Sequence, residues 1–252
     1  MTKTVLITGA TGVLGAAIVT HLASLGWSLV LASREQEKCD KLADSLSHFS
    51  TNISCIRINL KDKESTETVA QRLAEDGIRV SHIVSNARSL DTLSVNDEGL
   101  TEVNNFMDEF LIDVVAPYRM IMGFSQSSEH DLKGLVTVGS QYGIVAPNPS
   151  LYNGDLKNSP IQYGVAKAAL HHLTRELAIR LSPKVRVNCV AYGGFVGRSD
   201  ADFQKRYGKL SPAGRMLEPY EAGGPVAFLL DDKVSSAITG HVLVADGGWS
   251  TW

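Results

Sequence analysis

Two residues that could transfer a proton, Tyr163 and Lys167, are four positions apart in the sequence. The run Ala168–Leu170 favours a continued helix, and this spacing places both side chains on one helix face. Free tyrosine has a pKa of about 10 and is a poor proton carrier at neutral pH. An ammonium about 4 Å away stabilises a phenolate by about 4 kcal/mol at an effective dielectric constant of about 20. A buried pair could therefore act as acid and base without metal or histidine, whereas an exposed pair would have no chemical role.

A glycine-rich turn near the start of the chain is typical of a dinucleotide site. The apolar run Val5–Ile7 predicts a buried parallel strand, and the apolar spacing over Val13–Leu25 predicts a helix that ends at Gly26. Glycines let the backbone approach a pyrophosphate, and a helix N-terminus offers unpaired N–H groups, so this order favours phosphate binding over a mere tight turn. The candidate cofactor-binding residues here are Gly9, Thr11, Gly12, Val13, Leu14 and Gly15.

The second apolar run, Leu29–Ala32, is followed by Ser33 and Arg34 at the expected position of the ribose 2′ group. An acidic residue at this point would accept a hydrogen bond from a 2′-hydroxyl and repel a 2′-phosphate. Arg34 instead offers a bidentate contact to phosphate, which favours NADP(H) while NAD(H) stays possible. The alternative is that Arg34 is only the solvated start of the next helix.

Length and composition limit the classes of function. The chain has 252 residues and no low-complexity linker, so we expect a single domain over residues 1–252. The net charge is −3 and no basic run occurs, which makes nucleic acid an unexpected partner. No apolar stretch is long enough to span a membrane, and the first strand begins too early for a signal peptide. The three dispersed cysteines indicate free thiols in a cytoplasmic protein, and no spacing indicates a metal site.

Strand and helix patterns alternate along the chain, which predicts an α/β fold: a doubly wound parallel sheet of Rossmann type with helices on both faces. Further strands are predicted at 53–58, 80–84, 135–138, 185–190 and 241–244, and further helices at 63–75, 104–123, 161–181 and 218–230. Ligands in such folds bind beyond the carboxyl ends of the strands. The residues at those ends or in the turns after them include Gly9, Ser33, Asn59, Asn86, Ser140 and Tyr192.

These motifs together resemble the short-chain dehydrogenase/reductase family over essentially the whole chain. Besides the glycine turn and the set Ser140, Tyr163 and Lys167, the segments 186–188, 212–216, 238–241 and 246–248 occur in the family's order. The resemblance implies that Tyr163 is the general acid and base, that Lys167 binds the nicotinamide ribose, and that Ser140 binds the substrate carbonyl. It also implies a homodimer or homotetramer. The further cofactor-binding residues that it implies are Asn59, Leu60, Asn86, Ala87, Tyr163, Lys167, Tyr192, Gly193 and Val196.

The sequence departs from the family pattern at several positions. Arg88 replaces the glycine after Ser85–Ala87, and it either points to solvent or contacts an anionic group of substrate or cofactor. Asp113 stands where the family has a catalytic asparagine, and it is either functional or a helix-surface acid. Gly197 replaces a threonine that usually contacts the carboxamide, a role left to backbone near Val190 and Val196. The glycine spacing at 9, 12 and 15 is typical of the family's longer branch, although the chain has no room for that branch's substrate domain.

Three functional hypotheses follow. The first is interconversion of a carbonyl and a secondary alcohol of a sugar or nonulosonic-acid-type substrate. It rests on the polar insert that carries Asn153, Asp155 and Asn158, on a polar lid over 198–208, and on a resemblance of residues 141–147 to a branch that modifies bacterial surface sugars. The second is reduction of a 3-oxoacyl thioester, with Arg88 and Arg198 meeting an acidic carrier protein. The third is a cofactor-binding regulatory or scaffold protein without turnover, against which the retained Ser140, Tyr163 and Lys167 argue.

Overall fold

Seven parallel strands form one sheet in the computed structural model, which describes residues 3–197 and 199–252. The spatial order is β3-β2-β1-β4-β5-β6-β7, so the chain crosses the sheet between β3 and β4 and leaves a switch point between β1 and β4. The predicted doubly wound sheet is confirmed. The strands are β1 Thr4–Thr8, β2 Ser28–Ser33, β3 Ile53–Arg57, β4 His82–Ser85, β5 Gly134–Ser140, β6 Arg186–Tyr192 and β7 Val242–Ala245.

Helices cover both faces of the sheet because side chains alternate along each strand. On β1, Val5 and Ile7 pack in one hydrophobic cluster, while Leu6 packs in the cluster on the other face. β2, β4 and β5 are buried along their full length, which explains why they read as nearly continuous apolar runs. The helices are α1 Val13–Ser24, α2 Gln36–Ser45, α3 Lys63–Glu67, α4 Val69–Glu75, α5 Val103–Phe110, α6 Ala116–Gln126, α7 Ile161–Arg180, α8 Ala201–Leu210 and α9 Gly223–Leu230.

Two helices that the sequence predicts as continuous are interrupted. The helix predicted at 104–123 is α5, a π-helical turn at Leu111–Val115, and α6. Pro117 has no N–H to donate to the carbonyl of Asp113, so the wider turn is located where proline prevents regular helix. The helix predicted at 63–75 divides into α3 and α4 at Thr68, whose hydroxyl donates to the Glu64 carbonyl at 2.8 Å.

The segment predicted as a polar lid contains the regular helix α8, whose start is capped by Asp200 accepting from the Phe203 N–H at 2.7 Å. Arg198, part of that prediction, lies outside the described residues. The insert before Tyr163 is mostly exposed but is anchored to α8. Leu151 is fully buried, its carbonyl accepts from Arg206 Nε at 2.8 Å, and the Tyr152 ring packs edge-on against Phe203. Insert and helix therefore form one wall beside the ends of the strands.

No helix in the described ranges has the length and apolar character needed to cross a membrane.

Candidate active site

A cleft of about 690 Å³ lies beyond the carboxyl ends of the strands, at the switch point between β1 and β4. Its walls come from the turns after β1, β2, β3, β4, β5 and β6, together with α7 and α8. The sequence-predicted residues that line it are Gly9, Thr11, Gly12, Val13, Leu14, Gly15, Ser33, Arg34, Asn59, Leu60, Asn86, Ala87, Ser140, Tyr163, Lys167, Tyr192, Gly193 and Val196. The fold therefore brings together every predicted site residue except Asp113.

The turn after β1 fits a pyrophosphate. Gly9 has φ +65°, and a Cβ on it would come within 2.7 Å of the Ala87 Cα. A Cβ on Gly15 would lie 2.0 Å from the Gly9 carbonyl oxygen, so α1 can pack this closely only with glycine there. Gly12 is exposed to the cleft, and the N–H groups of residues 13–15 at the start of α1 have no acceptor in the described part of the chain. These groups and the helix dipole suit a bound anion.

The residues after β2, β3 and β4 complete the nucleotide end of the cleft. Ser33 Oγ lies 3.0 Å from Thr11 Oγ1 and accepts from the Glu35 N–H, while Arg34 is exposed to the cleft. Asn86 donates its amide to the carbonyls of Thr8 and Gly9 at 3.1 and 3.2 Å. Asn86 thus fixes the glycine turn against β4, a positioning contact that sequence reasoning did not identify.

Tyr163 and Lys167 project from the first turns of α7 into the other end of the cleft. The Lys167 Nζ lies 5.7 Å from the centre of the Tyr163 ring and donates to the Val138 carbonyl at 3.1 Å. Tyr163 is half-buried, whereas Lys167 is 4% exposed. The reading of this pair as an exposed surface pair is therefore wrong.

Ser140 ends β5 at the same point of the cleft. Its hydroxyl oxygen accepts from the Tyr142 N–H at 3.2 Å, so the serine caps the following turn and also presents its O–H to the cleft. Behind it, His171 Nε2 accepts from the Ser140 backbone N–H at 3.4 Å. Burial, followed by the charges of Lys167 and Arg175, lowers the pKa of His171 to about 4, which leaves the ring neutral and able to accept. His171 follows Lys167 by four residues, and this spacing on one helix could have indicated that His171 lies beside the site.

Comparisons with known proteins identify the family to which this chain belongs. A family profile described as "Enoyl-(Acyl carrier protein) reductase" matches residues 9–250. The chain belongs to the short-chain dehydrogenase/reductase family. It is 30% identical to the human protein "Dehydrogenase/reductase SDR family member 4", over 98% of this chain and 87% of that protein. It is 23% identical to "Post-translational flagellin modification protein A" of Campylobacter coli, over 98% of both chains. The structure of a "Pseudomonas aeruginosa RhlG/NADP active-site complex" superposes with a TM-score of 0.83 at 25% identity, over 98% of this chain and 96% of that one.

Membership of this family makes the protein an NAD(P)-dependent oxidoreductase that acts on alcohol or ketone groups. The predicted family and enzyme class are thus confirmed, and the interpretation as a scaffold without turnover is not favoured.

The family's catalytic asparagine position is the site of a buried ion pair. Asp113 lies in the π-helical turn, is 2% exposed, and places Oδ2 2.9 Å from Lys167 Nζ. The alternative of a helix-surface acid is therefore wrong. Burial lowers the pKa of Lys167, but Asp113 and Tyr163 outweigh it, so the net direction is upward and the ammonium is retained. Neither Asp113 oxygen has a well-aligned hydrogen-bond donor among the described residues.

One turn before Asp113, a second buried acid lies on α5. Glu109 has no exposed surface, and one of its oxygens accepts from the Thr92 hydroxyl while the other has no partner in the described ranges. Burial and then the charge of Asp113 raise the pKa of Glu109. The i, i+4 spacing of the two acids places them on one helix face and could have indicated this buried pair.

Arg88 lies over Tyr163 rather than away from the cleft. Its guanidinium carbon is 4.6 Å from the centre of the Tyr163 ring, and Arg88 lines the cleft. The interpretation of Arg88 as a solvated residue that points outward is therefore wrong, although its side chain stays exposed.

Several expectations about the far wall need correction. The polar residues Asn153, Asp155 and Asn158 do not line the cleft, whereas Tyr152 from the same insert does. From α8, Phe203 and Tyr207 face the cleft rather than the charged residues of that helix. The wall beside Tyr163 is thus aromatic with hydroxyl groups at its edges. Val190 is fully buried in β6, and the Val196 N–H donates to the Leu217 carbonyl, so neither backbone N–H faces the cleft unpaired.

Proposed function

We propose that this protein interconverts a carbonyl and a secondary alcohol with NADP(H), using Tyr163 as the general acid and base. The observation that carries this proposal is the meeting of Ser140, Tyr163 and Lys167 at one end of the cleft whose other end is the glycine turn. When bound, the nicotinamide supplies or receives the hydride.

The substrate oxygen is the atom on which the protein's own groups act. Ser140 donates its hydroxyl hydrogen to that oxygen, because the serine oxygen already accepts from the Tyr142 N–H. Tyr163 gives its phenolic proton to the same oxygen in reduction and takes it back in oxidation. The Lys167 ammonium, held by Val138 and Asp113, supplies the positive charge that stabilises the phenolate.

The cofactor would lie along the cleft. The α1 N-terminus and Gly9, Thr11, Gly12 and Gly15 would hold the pyrophosphate, while Lys167 would bind the nicotinamide ribose. Asn59, Leu60, Asn86 and Ala87 would contact the adenosine half. Tyr192, Gly193 and Val196 would contact the nicotinamide half, with Tyr192 doing so through its backbone because its hydroxyl donates to the Ala222 carbonyl.

Arg34 supports NADP(H) over NAD(H). It is exposed in the cleft beside Ser33, whereas the neighbouring acid Glu35 is neutralised by Lys38 at 2.8 Å. The Arg34→Ala variant should weaken NADPH binding by about 10- to 100-fold and leave NADH binding nearly unchanged. Calorimetric titration with both cofactors checks this, and equal losses for the two would contradict the preference.

For the substrate we propose a hydroxyl-rich carbonyl compound of sugar or nonulosonic-acid type. Support comes from the hydroxyl-bearing wall of Tyr142 and Tyr152 and from the related flagellin modification protein. Activity should be measured over ketosugars and acetoacetyl thioesters, with NADPH and NADH. Turnover of the thioesters alone would reject the sugar proposal and favour the 3-oxoacyl alternative, whose basis is the description of the matching family profile.

We also propose a cytoplasmic homodimer or homotetramer. Helices α5 and α7 leave apolar side chains exposed, with Val103 and Met107 on α5 at 71% and 65% exposure and Ile161 on α7 at 64%. Light scattering at micromolar concentration tests the assembly, and a monomer would contradict it.

A further inference from the structure

Two cations flank the Tyr163 ring, and their surroundings differ. Lys167 is buried, lies 2.9 Å from a carboxylate oxygen of Asp113 and donates to the Val138 carbonyl. Arg88 is exposed in the cleft and makes no ion pair or side-chain hydrogen bond with any residue in the described ranges. Its guanidinium lies against the face of the Tyr163 ring.

The acids near Arg88 make their direct contacts with other residues, although the charge of Arg88 also favours the ionised form of Glu109. Asp113 pairs with Lys167, Glu109 accepts from Thr92 in the buried layer behind the cleft, and Asp91 accepts from Ser89 at 3.4 Å. The positive charge of Lys167 also repels the guanidinium across the same ring. Because no described residue makes an ion pair or side-chain hydrogen bond with the guanidinium, an anion that enters the cleft would satisfy its donors and offset the repulsion from Lys167.

We infer that Arg88 is a specificity-determining residue that selects substrates carrying a carboxylate a few bonds from the reacting carbonyl. This inference rests on the proposed function for the position of the carbonyl, which Ser140 and Tyr163 define. Because Arg88 lies against the ring that protonates the substrate oxygen, a carboxylate paired with it belongs to the same small molecule. Within the hydroxyl-rich class proposed above, this selects the acidic members.

The test uses matched compounds: 2-, 3- and 4-oxo acids and their methyl esters, which differ only in the charge. Wild-type protein and the variants Arg88→Met and Arg88→Lys are saturated with NADPH, and both turnover and calorimetric affinity are measured. The wild type should prefer the best acid over its ester by about 10- to 100-fold, the size expected for a charge-assisted bidentate contact. Arg88→Met should lose that preference, with a fall in kcat/KM that is much larger for the acid than for its ester. Arg88→Lys should keep part of the preference.

Arg206→Met is the matched control, because Arg206 is a half-buried arginine that does not line the cleft and that also contacts an aromatic ring, that of Phe203. It should keep the acid preference.

Three results would overturn the inference. The first is equal binding of acid and ester by the wild type. The second is weaker NADPH binding by Arg88→Met, which would place the cofactor at Arg88. The third is an equal loss of turnover of acid and ester in Arg88→Met, which would show that Arg88 acts on the ionisation of Tyr163. Tight, Arg88-dependent binding of an acid without turnover would support the anion site while rejecting the proposed oxidoreductase reaction, so the two failures are distinguishable.

Discussion

Clusters of charged groups lie at both ends of the parallel strands, and their hydrogen-bonding groups are paired to different extents. At the amino ends, Asp232 accepts from His82 at 3.2 Å, from Arg186 at 3.1 Å and from Lys3 at 3.1 Å. Arg186 also donates to carbonyls of α9 and to Ser235. At the carboxyl ends, one buried oxygen each of Asp113 and Glu109, Oδ1 and Oε1, has no hydrogen-bond donor in the part of the chain that the structure describes.

The difference separates a structural cluster from a functional one. A network in which every donor and acceptor is paired holds strand ends together, since each unmade bond would cost about 1–3 kcal/mol. A network with buried unpaired oxygens and an exposed guanidinium does not gain its maximum stability, and such sites are expected where charge is arranged for a ligand or a reaction.

The largest expected effect comes from removing the charges beside Tyr163. The double variant Lys167→Met, Asp113→Asn should lose activity by about 10³-fold, since the phenolate loses its cation. Its free energy of unfolding should stay unchanged or rise, because replacing a buried ion pair with neutral groups of similar volume is often neutral or stabilising. Urea unfolding and steady-state kinetics check both. A destabilised but active double variant would reverse the assignment of the two clusters.

Replacing the ion pair at the amino ends of the strands should lower stability and leave activity unchanged. Arg186→Met, Asp232→Asn leaves His82 and the carbonyls of Leu229 and Leu230 without their donors or acceptors. We expect a loss of about 3 kcal/mol in unfolding free energy, reduced somewhat by the partial exposure of Asp232. The activity per folded molecule should remain that of the wild type at low temperature. A specific loss of activity with normal stability would show that this cluster also serves the reaction.

His171 gives a pH-dependent comparison with a smaller effect. Its folded pKa of about 4 lies below the ordinary value of 6.5, so the unfolded chain binds more protons between these values. The stability contribution is complete above pH 6.5 and is lost as the pH falls towards 4, to a total of about 3 kcal/mol. His171→Gln should lack this part of the pH dependence of stability. The part that comes from His82, whose pKa burial also lowers, should remain in both proteins. Parallel stability curves for the two proteins would contradict the assignment.

The sequence allowed the fold to be predicted well because its signals are local. Strands such as β2 and β5 are buried along their whole length and carry mostly apolar residues, and the glycine turn joins a strand to a helix in one short segment. The Tyr163–Lys167 pair was found for the same reason, since four residues on one helix make a contact that spacing alone defines.

What could not be predicted depends on contacts between distant segments. Nothing local at Arg88 shows that it lies over a ring 75 positions later, and nothing local at Asp113 shows that Lys167 will reach it. The predictions for the polar insert and for α8 were wrong because composition does not reveal which side chains face a cleft. Tyr152, Phe203 and Tyr207 face it, and the charged residues of the same segments do not.

The central claim is that the phenol of Tyr163 carries the proton, and the variant Tyr163→Phe tests it most directly. This variant removes one hydroxyl group and keeps the ring that contacts Arg88. With a substrate that the wild type turns over, kcat/KM should fall by at least about 10³-fold while the calorimetric affinity for NADP(H) stays close to that of the wild type. Retention of about a tenth or more of the wild-type kcat/KM, with cofactor bound normally, would contradict the account.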